Sequence, residues 1–345
     1  MSRPSTKSRH ASYSNAANDA SPSRDSWRAD EARTKAMYEY SPYPDLGADL
    51  KTQDLYLRHL SEDFKKKDNV YVDVGCGTGH YIVGTAKRYP NWRCIGIDLS
   101  EQALNIARQL AEKHGVKNVE FHQGSYLDPL PFKDKADIIS AMGTIHHCGD
   151  PEKAMQIMHD LLKDDGYMLW HMYGWRADQG KFDLKMALDI LEPDLGSHEK
   201  RFFYYRTLMD HRNKKILKRI ANTSLYDLYS MIKIGLRNWK RRHKKVSWSP
   251  PWNDDFKDLN SPWIDHFCHP CERAYEVPEI HSLVESGHFS VYKMIAQGKE
   301  FPQLIPHEWQ ARYAQLGFWE KARLSELLAV GGGSFAMILR KQKQD

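Results

Sequence analysis

From Asn69 to about Trp175 the chain alternates short apolar runs with amphipathic stretches of helical length. "NVYVDVG" leads into "HYIVGTAKRYP", "WRCIGIDLS" into "EQALNIARQLAEKHG", and "VEFHQGS" and "ADIISAMG" precede "PEKAMQIMHDLLKDDG" and "YMLWHMYGW". Pro90 stops the first helical stretch, Gly115 ends the second as glycine often does, and Pro151 stands near the start of the third. Strands alternating with helices of this length predict right-handed crossovers and a parallel sheet with helices on both faces. Ligands in such sheets sit beyond the carboxyl ends of the strands, so the residue after each strand is where chemistry is expected.

The flanks divide the chain further. Residues 1–28 hold no Leu, Ile, Val or Phe and cannot offset their ordering entropy by burial, so a disordered tail is expected there. Residues 29–68 show two helical patterns around the rigid turn "SPYPDLG" and are expected to form a helical lid, with the core running over 69–180. Residues 181–260 break the rhythm with helical, basic and aromatic sequence, an insertion after strand five. Residues 261–345 add a pocket loop, the helix "IHSLVESG", the strand "FSVYKMIA", a helix near "WEKARLSELLAV" and the strand "SFAMILRK", which bring the expected sheet to seven strands.

No window approaches the roughly 18 consecutive apolar residues of a membrane helix, and the start lacks the apolar core of a signal peptide. A soluble, cytoplasmic protein with no membrane partner is expected; its oligomeric state is not legible. The five cysteines are odd in number and scattered, which favours reduced thiols over a disulfide framework. Charge is uneven: from His198 to Lys245 there are fifteen Lys and Arg against three Asp and Glu, although the whole chain carries only +5.

The stretch "DVGCGTGHY", from Asp73 to Tyr81, is a strand, a glycine-rich turn and a helix start, the geometry in which proteins hold nucleotides. A phosphate-binding P-loop needs Lys and then Ser or Thr after its last glycine, but His80 and Tyr81 stand there. A dinucleotide fingerprint needs glycines spaced G-x-G-x-x-G, but they fall at Gly75, Gly77 and Gly79. Asp73 would repel a pyrophosphate and attract a ligand carrying an ammonium and a sulfonium, as S-adenosylmethionine (SAM) does. Glycines at alternate positions let the backbone approach such a ligand closely. Asp98, ending strand two, is placed to accept from both ribose hydroxyls, with Leu99 against one adenine face.

In these residues the chain resembles the class I SAM-dependent methyltransferases. The matching segments are "VDVGCGTG", "GIDLS", "QGSYLDPLPF", "ADIISAMGTIHHCGDP" and "LLKDDGYMLW", in order and at the right separations, and the fourth is similar to the small-molecule branch. "YEYSPYP" and "DHFCHPCERAY" more weakly resemble flanking segments of a bacterial subgroup. The resemblance implies a seven-stranded Rossmann-like sheet with SAM as cofactor. It implies that Asp73, Gly75, Gly77 and Gly79 hold the methionine end, Asp98 the ribose, and Ser125 with Tyr126 the adenine; Met142 and Gly143 of the fourth motif join the cofactor set. Two departures stand out: Ser125 replaces the family's usual Asp, and Asp164, Asp165, Gly166 replace a Pro-Gly-Gly turn.

Methyl transfer is an in-line displacement that needs the acceptor held close and water excluded; a hydroxyl or ammonium acceptor must also lose a proton, for which His is the natural base. His146 and His147 after strand four and His171 with Tyr173 at the end of strand five are candidates, each with a plainer reading as a cap or cofactor-lining residue. Tyr43 could close over the cofactor or simply pack. "DHFCHPCER" sets His266, Cys268, His269 and Cys271 together, but no second ligand pair stands at finger-like spacing, so a pocket loop with Asp265 and His266 facing the cofactor is preferred and no metal is expected. The basic insert reads first as a helical cap over a small-molecule acceptor and second as an RNA-docking surface, for a tRNA-type substrate. A SAM-binding regulator that transfers nothing is the non-enzyme alternative.

Overall fold

The computed structural model describes residues 24–191 except 48 and 131, residues 269–295, 305–328 and 334–342, and the single positions 200, 201, 204, 207 and 265. Most of the basic stretch lies outside the described residues. The chain divides into two compact units, one drawn from residues up to 179 and from 269 onward, the other from 180–268.

The first unit is built on seven strands: β1 (Val70–Val74), β2 (Arg93–Asp98), β3 (Val119–Gln123), β4 (Ala136–Met142), β5 (Leu162–Met172), β6 (Phe289–Met294) and β7 (Phe335–Lys341). Their order is β3-β2-β1-β4-β5-β7-β6. The first five pair in parallel, and β7 lies antiparallel between β5 and β6. Central parallel strands are covered on both faces, which is why "VYVDV" reads as a nearly continuous apolar run. Alternate residues feed opposite cores. Val72, Val74, Ile95 and Ile97 pack on one face with α6 (Pro151–Leu161) and α8 (Val277–Ser286); Tyr71, Cys94 and Ile138 pack on the other with α4 (His80–Arg88) and α5 (Glu101–Lys113). This is the expected α/β sheet.

Local chemistry sets the helix starts. Ser100 Oγ accepts from Ala103 N at 3.1 Å to cap α5, and Asp150 Oδ1 accepts from Lys153 N at 2.9 Å to cap α6, where Pro151 takes the first turn. Sequence and structure part company at the end of α6, expected to run to Gly166. It stops at Leu161 because Leu162 turns extended and pairs with Ala136, a bulge separating this from the Ile138–Tyr167 register.

Ahead of β1 come α1 (Arg24–Tyr40), α2 (Asp54–Leu57) and α3 (Glu62–Lys65). The tail boundary expected at residue 28 falls inside α1, and Trp27 is 2% exposed in the main core. Trp27 backs onto Gly149 so closely that a Cβ on that glycine would lie 2.6 Å from the tryptophan's Cβ. A tail judged by its lack of Leu, Ile, Val and Phe overlooks one indole that buries as much as any of them. The remaining described helices of this unit are α9 (Gln310–Ala314) and α10 (Phe318–Leu328).

In the second unit, the described part of α7 (Trp175–Leu191) buries Lys181 and Phe182, with the Lys181 ammonium 4.8 Å from the Phe182 ring centre. No helix among the described residues is long and apolar enough to cross a membrane.

Candidate active site

The loop between β1 and α4 turns at Gly75, Gly77 and Gly79, with φ of +69°, +53° and +79°. At Gly75 a Cβ would lie 2.2 Å from Thr144 Cγ2, and at Gly77 2.2 Å from the Tyr43 carbonyl oxygen. Close approach therefore demands glycine here as firmly as the backbone angle does. Gly75 N and Cys76 N donate to Ile97 O at 2.7 and 3.0 Å, which ties the loop to the end of β2. Behind it, Asp73 is 4% exposed. Burial pushes its pKa up to about 7, a hydroxyl contact from Ser140 works against the rise, and the nearby Asp98 adds to it.

Asp98 receives Gly77 N on Oδ2 at 2.8 Å and Ser100 N on Oδ1 at 2.9 Å. Burial raises its pKa, and these two amides oppose the rise. Leu99 follows, its carbonyl accepting from Gln123 Nε2 at 3.2 Å.

Two segments ahead of β1 cover this edge. The strap after α1 docks on the glycine loop: Tyr43 O accepts from Thr78 N at 3.1 Å, and Pro44 O accepts from the Thr78 hydroxyl at 2.6 Å. His80 lies 3.1 Å from Gly47 O through Nε2, and 2.9 Å from Thr78 Oγ1 through Nδ1. Helix α1 runs past the ends of β2, β3 and β4. Glu39 accepts from Glu101 N and Gln102 N at 2.8 and 3.3 Å at the start of α5, and Glu31 accepts from the Ser125 hydroxyl just after β3. Arg28 pairs with Asp128 at 2.9 Å. Burial raises the pKa of Glu31, and the Ser125 hydrogen bond opposes the rise. The Tyr126 hydroxyl donates to Thr144 O at 3.3 Å.

After β4 the chain turns through Gly143, at φ +75°, into a short 3-10 turn, Ile145–His147. Gly143 N donates to His171 O at 3.3 Å, linking the ends of β4 and β5; Met142 packs on the α4 and α5 side of the sheet. His146 is buried, its ring 4.1 Å from His147 and 4.0 Å from Tyr173. His147 stacks at 3.7 Å on His269, which meets Tyr38 of α1 at 5.6 Å. His147 Nδ1 lies 3.1 Å from Cys271 O, a carbonyl that can only accept, so the ring proton sits on Nδ1. His171, 6.2 Å from Tyr173, is pushed by burial down to about 4. Beside this cluster a cleft of about 300 Å³ opens between Asp30 and Arg33 of α1, His146, and the loop from Pro270 to Arg273.

Of the expected catalytic residues, His146, His147, His171 and Tyr173 come together. Asp265 is a buried helical residue of the second unit, and His266 lies outside the described residues, as does Cys268. Among the described residues no group of three His, Cys, Asp or Glu is arranged to hold a metal ion. Sequence reasoning passed over Glu31, Tyr38 and the stacking role of His269. Nothing in the helical pattern of α1 marks Glu31, and His269 drew attention only for its closeness to cysteines.

A family model described as a methyltransferase domain matches residues 65–221. The uncharacterized methyltransferase YcgJ of Bacillus subtilis is 34% identical over 126 residues, 36% of this chain and 45% of that protein. Ajmaline N-methyltransferase of Rauvolfia serpentina is 36% identical over 111 residues, 32% of this chain and 38% of that protein. The chain thus spans less than half the length of either relative. In three dimensions, the structure of PKMT2 from Rickettsia typhi in complex with AdoHcy superposes with a TM-score of 0.59 at 14% identity, covering 82% of this chain and 50% of that one, a likeness of fold. With the glycine loop and strand order described above, residues 65–221 match a methyltransferase domain, and the sheet has the Rossmann-like fold of the methyltransferase neighbour.

Proposed function

We propose that this chain transfers the methyl group of SAM to a small-molecule acceptor, at oxygen or nitrogen. The observation that carries the proposal is Asp73, a carboxylate 4% exposed behind three glycines, where burial disfavours its charge. A ligand with an ammonium and a sulfonium supplies the missing cations, whereas a pyrophosphate would be repelled. SAM, when bound, supplies a methyl carbon activated by the positive sulfur.

The chain's own residues then have distinct tasks. Gly75, Gly77 and Gly79 let the backbone reach the methionine portion. Each Asp98 oxygen accepts one amide and keeps a second lone pair for a ribose hydroxyl. Leu99, Ser125 and Tyr126 flank the base, with Met142 and Gly143 bordering the cofactor from β4. Tyr43, in the strap, and α1 exclude water.

His147 holds its proton on Nδ1 against Cys271 O, so Nε2 carries the lone pair that can take a proton from the acceptor. His171, with its pKa near 4, is neutral at pH 7 and offers no cation to repel one. His146 and Tyr173 pack against His147 and fix its ring. The 300 Å³ cleft beside His146 is at the small end of sites for low-mass ligands, and a relative named for N-methylation of ajmaline supports an acceptor of that class.

Methyl-labelled SAM incubated with the protein and a host extract tests this. Label recovered in the low-mass filtrate supports it. Label recovered in RNA refutes the small-acceptor assignment and turns attention to the basic stretch at 198–245.

A further inference from the structure

Ser125 is 8% exposed and sits directly after Gly124, the first residue beyond β3. Its hydroxyl accepts from Leu127 N at 3.0 Å and donates to Glu31 Oε1, a partner 94 residues away on α1. A hydroxyl has one proton, and this one is committed to Glu31. With Glu31 ionised, Ser125 and Glu31 therefore present lone pairs only toward anything placed beside them.

The position of Glu31 is set from both sides. Glu39 caps the start of α5 at the end of β2, and Arg28 pairs with Asp128 beyond the end of β3. The eight residues from Glu31 to Glu39 rise about 12 Å along the helix. Helix α1 thus carries one carboxylate at the β2 edge, where Asp98 and Leu99 lie, and a second at the β3 edge. On the SAM reading above, Asp98 would hold the ribose and Ser125 would lie on the side of the base, next to Glu31.

Resting on the SAM reading above, we propose that Glu31 accepts a hydrogen bond from the exocyclic amine of the cofactor's adenine, with Ser125 as its positioning residue. The helix that covers the cofactor thereby also reads its base. An amine at that position donates to a carboxylate. A carbonyl in the same place, as in hypoxanthine, sets acceptor against acceptor and loses a charge-assisted bond.

Calorimetric titration of the full chain with S-adenosylhomocysteine and with its deaminated counterpart, S-inosylhomocysteine, tests this. The wild type is expected to prefer the adenine ligand by roughly tenfold to a hundredfold, the range of a hydrogen bond to a charged group. Glu31→Gln, whose amide offers both a donor and an acceptor, is expected to bring the two affinities near parity. Ser125→Ala, which keeps the carboxylate, is expected to weaken both ligands while retaining the preference. A wild-type ratio preserved in Glu31→Gln overturns the proposal, as does an equal loss for both ligands, which marks Glu31 as only a dock for α1. A wild type that binds neither ligand overturns the cofactor reading itself, and is seen before any variant is made.

Discussion

Asp73→Asn tests whether the carboxylate at the end of β1 is kept for a ligand at the expense of stability. A carboxyl that titrates near 4 in an unfolded chain and at about 7 in the fold costs the folded state up to roughly 4 kcal/mol once ionised. The sign follows from proton counting. Below about pH 4 both states hold the proton and the cost is absent; it grows as the pH rises toward 7 and is constant above. Asn has the same shape and no charge, so the ligand-free variant is expected to be more stable than wild type at pH 8 by about 2–4 kcal/mol, and by no more than about 1 kcal/mol at pH 4.5. Urea unfolding at both pH values measures this, and calorimetry on the same samples is expected to find SAM affinity lost in the variant. An Asn variant no more stable at pH 8, or a difference independent of pH, refutes the claim that burial of an uncompensated charge shapes this site.

Four further substitutions probe other parts of the account. Gly77→Ala forces a left-handed residue to carry a side chain, at about 1–2 kcal/mol, and drives its Cβ into the Tyr43 carbonyl. Limited proteolysis is expected to cut residues 41–47 faster in that variant; unchanged cleavage would contradict the docked strap. Asp98→Ala is expected to weaken SAM binding and His147→Ala to lower turnover with binding intact, so equal cofactor affinity in Asp98→Ala and wild type is the refuting result. Glu326, with 0% exposure, accepts from Val277 N at 3.2 Å at the start of α8 and pairs with Arg323. Glu326→Gln is expected to lower stability by about 1–3 kcal/mol in urea unfolding without changing SAM affinity; a fall in affinity would tie α8 to the site.

What was legible in the sequence follows the range of the interactions involved. The alternation of strands and helices and the glycine loop are local; Gly75, Gly77 and Gly79, expected as sites of close backbone approach, also adopt left-handed angles. The insertion of β7 between β5 and β6 is a pairing choice with no local signature, although both strands are plain in the pattern. The start of α1 was misjudged because one buried tryptophan outweighs a polar composition. Ser125 read alone is a departure from the Asp usual in the resembling family. Its partner Glu31 lies on another element, and no spacing rule links a hydroxyl after β3 to a carboxylate on the first helix. His269 likewise reaches His147 only through the fold.

Hydrogen exchange followed by mass spectrometry, with and without saturating S-adenosylhomocysteine, tests most directly the claim that the cofactor sits on the carboxyl edge of β1 to β3 beneath α1. Slowed exchange is predicted at residues 73–80, 98–102 and 124–127, together with α1 and the strap at 41–47. Protection confined to other segments, or none at saturation, would contradict the account.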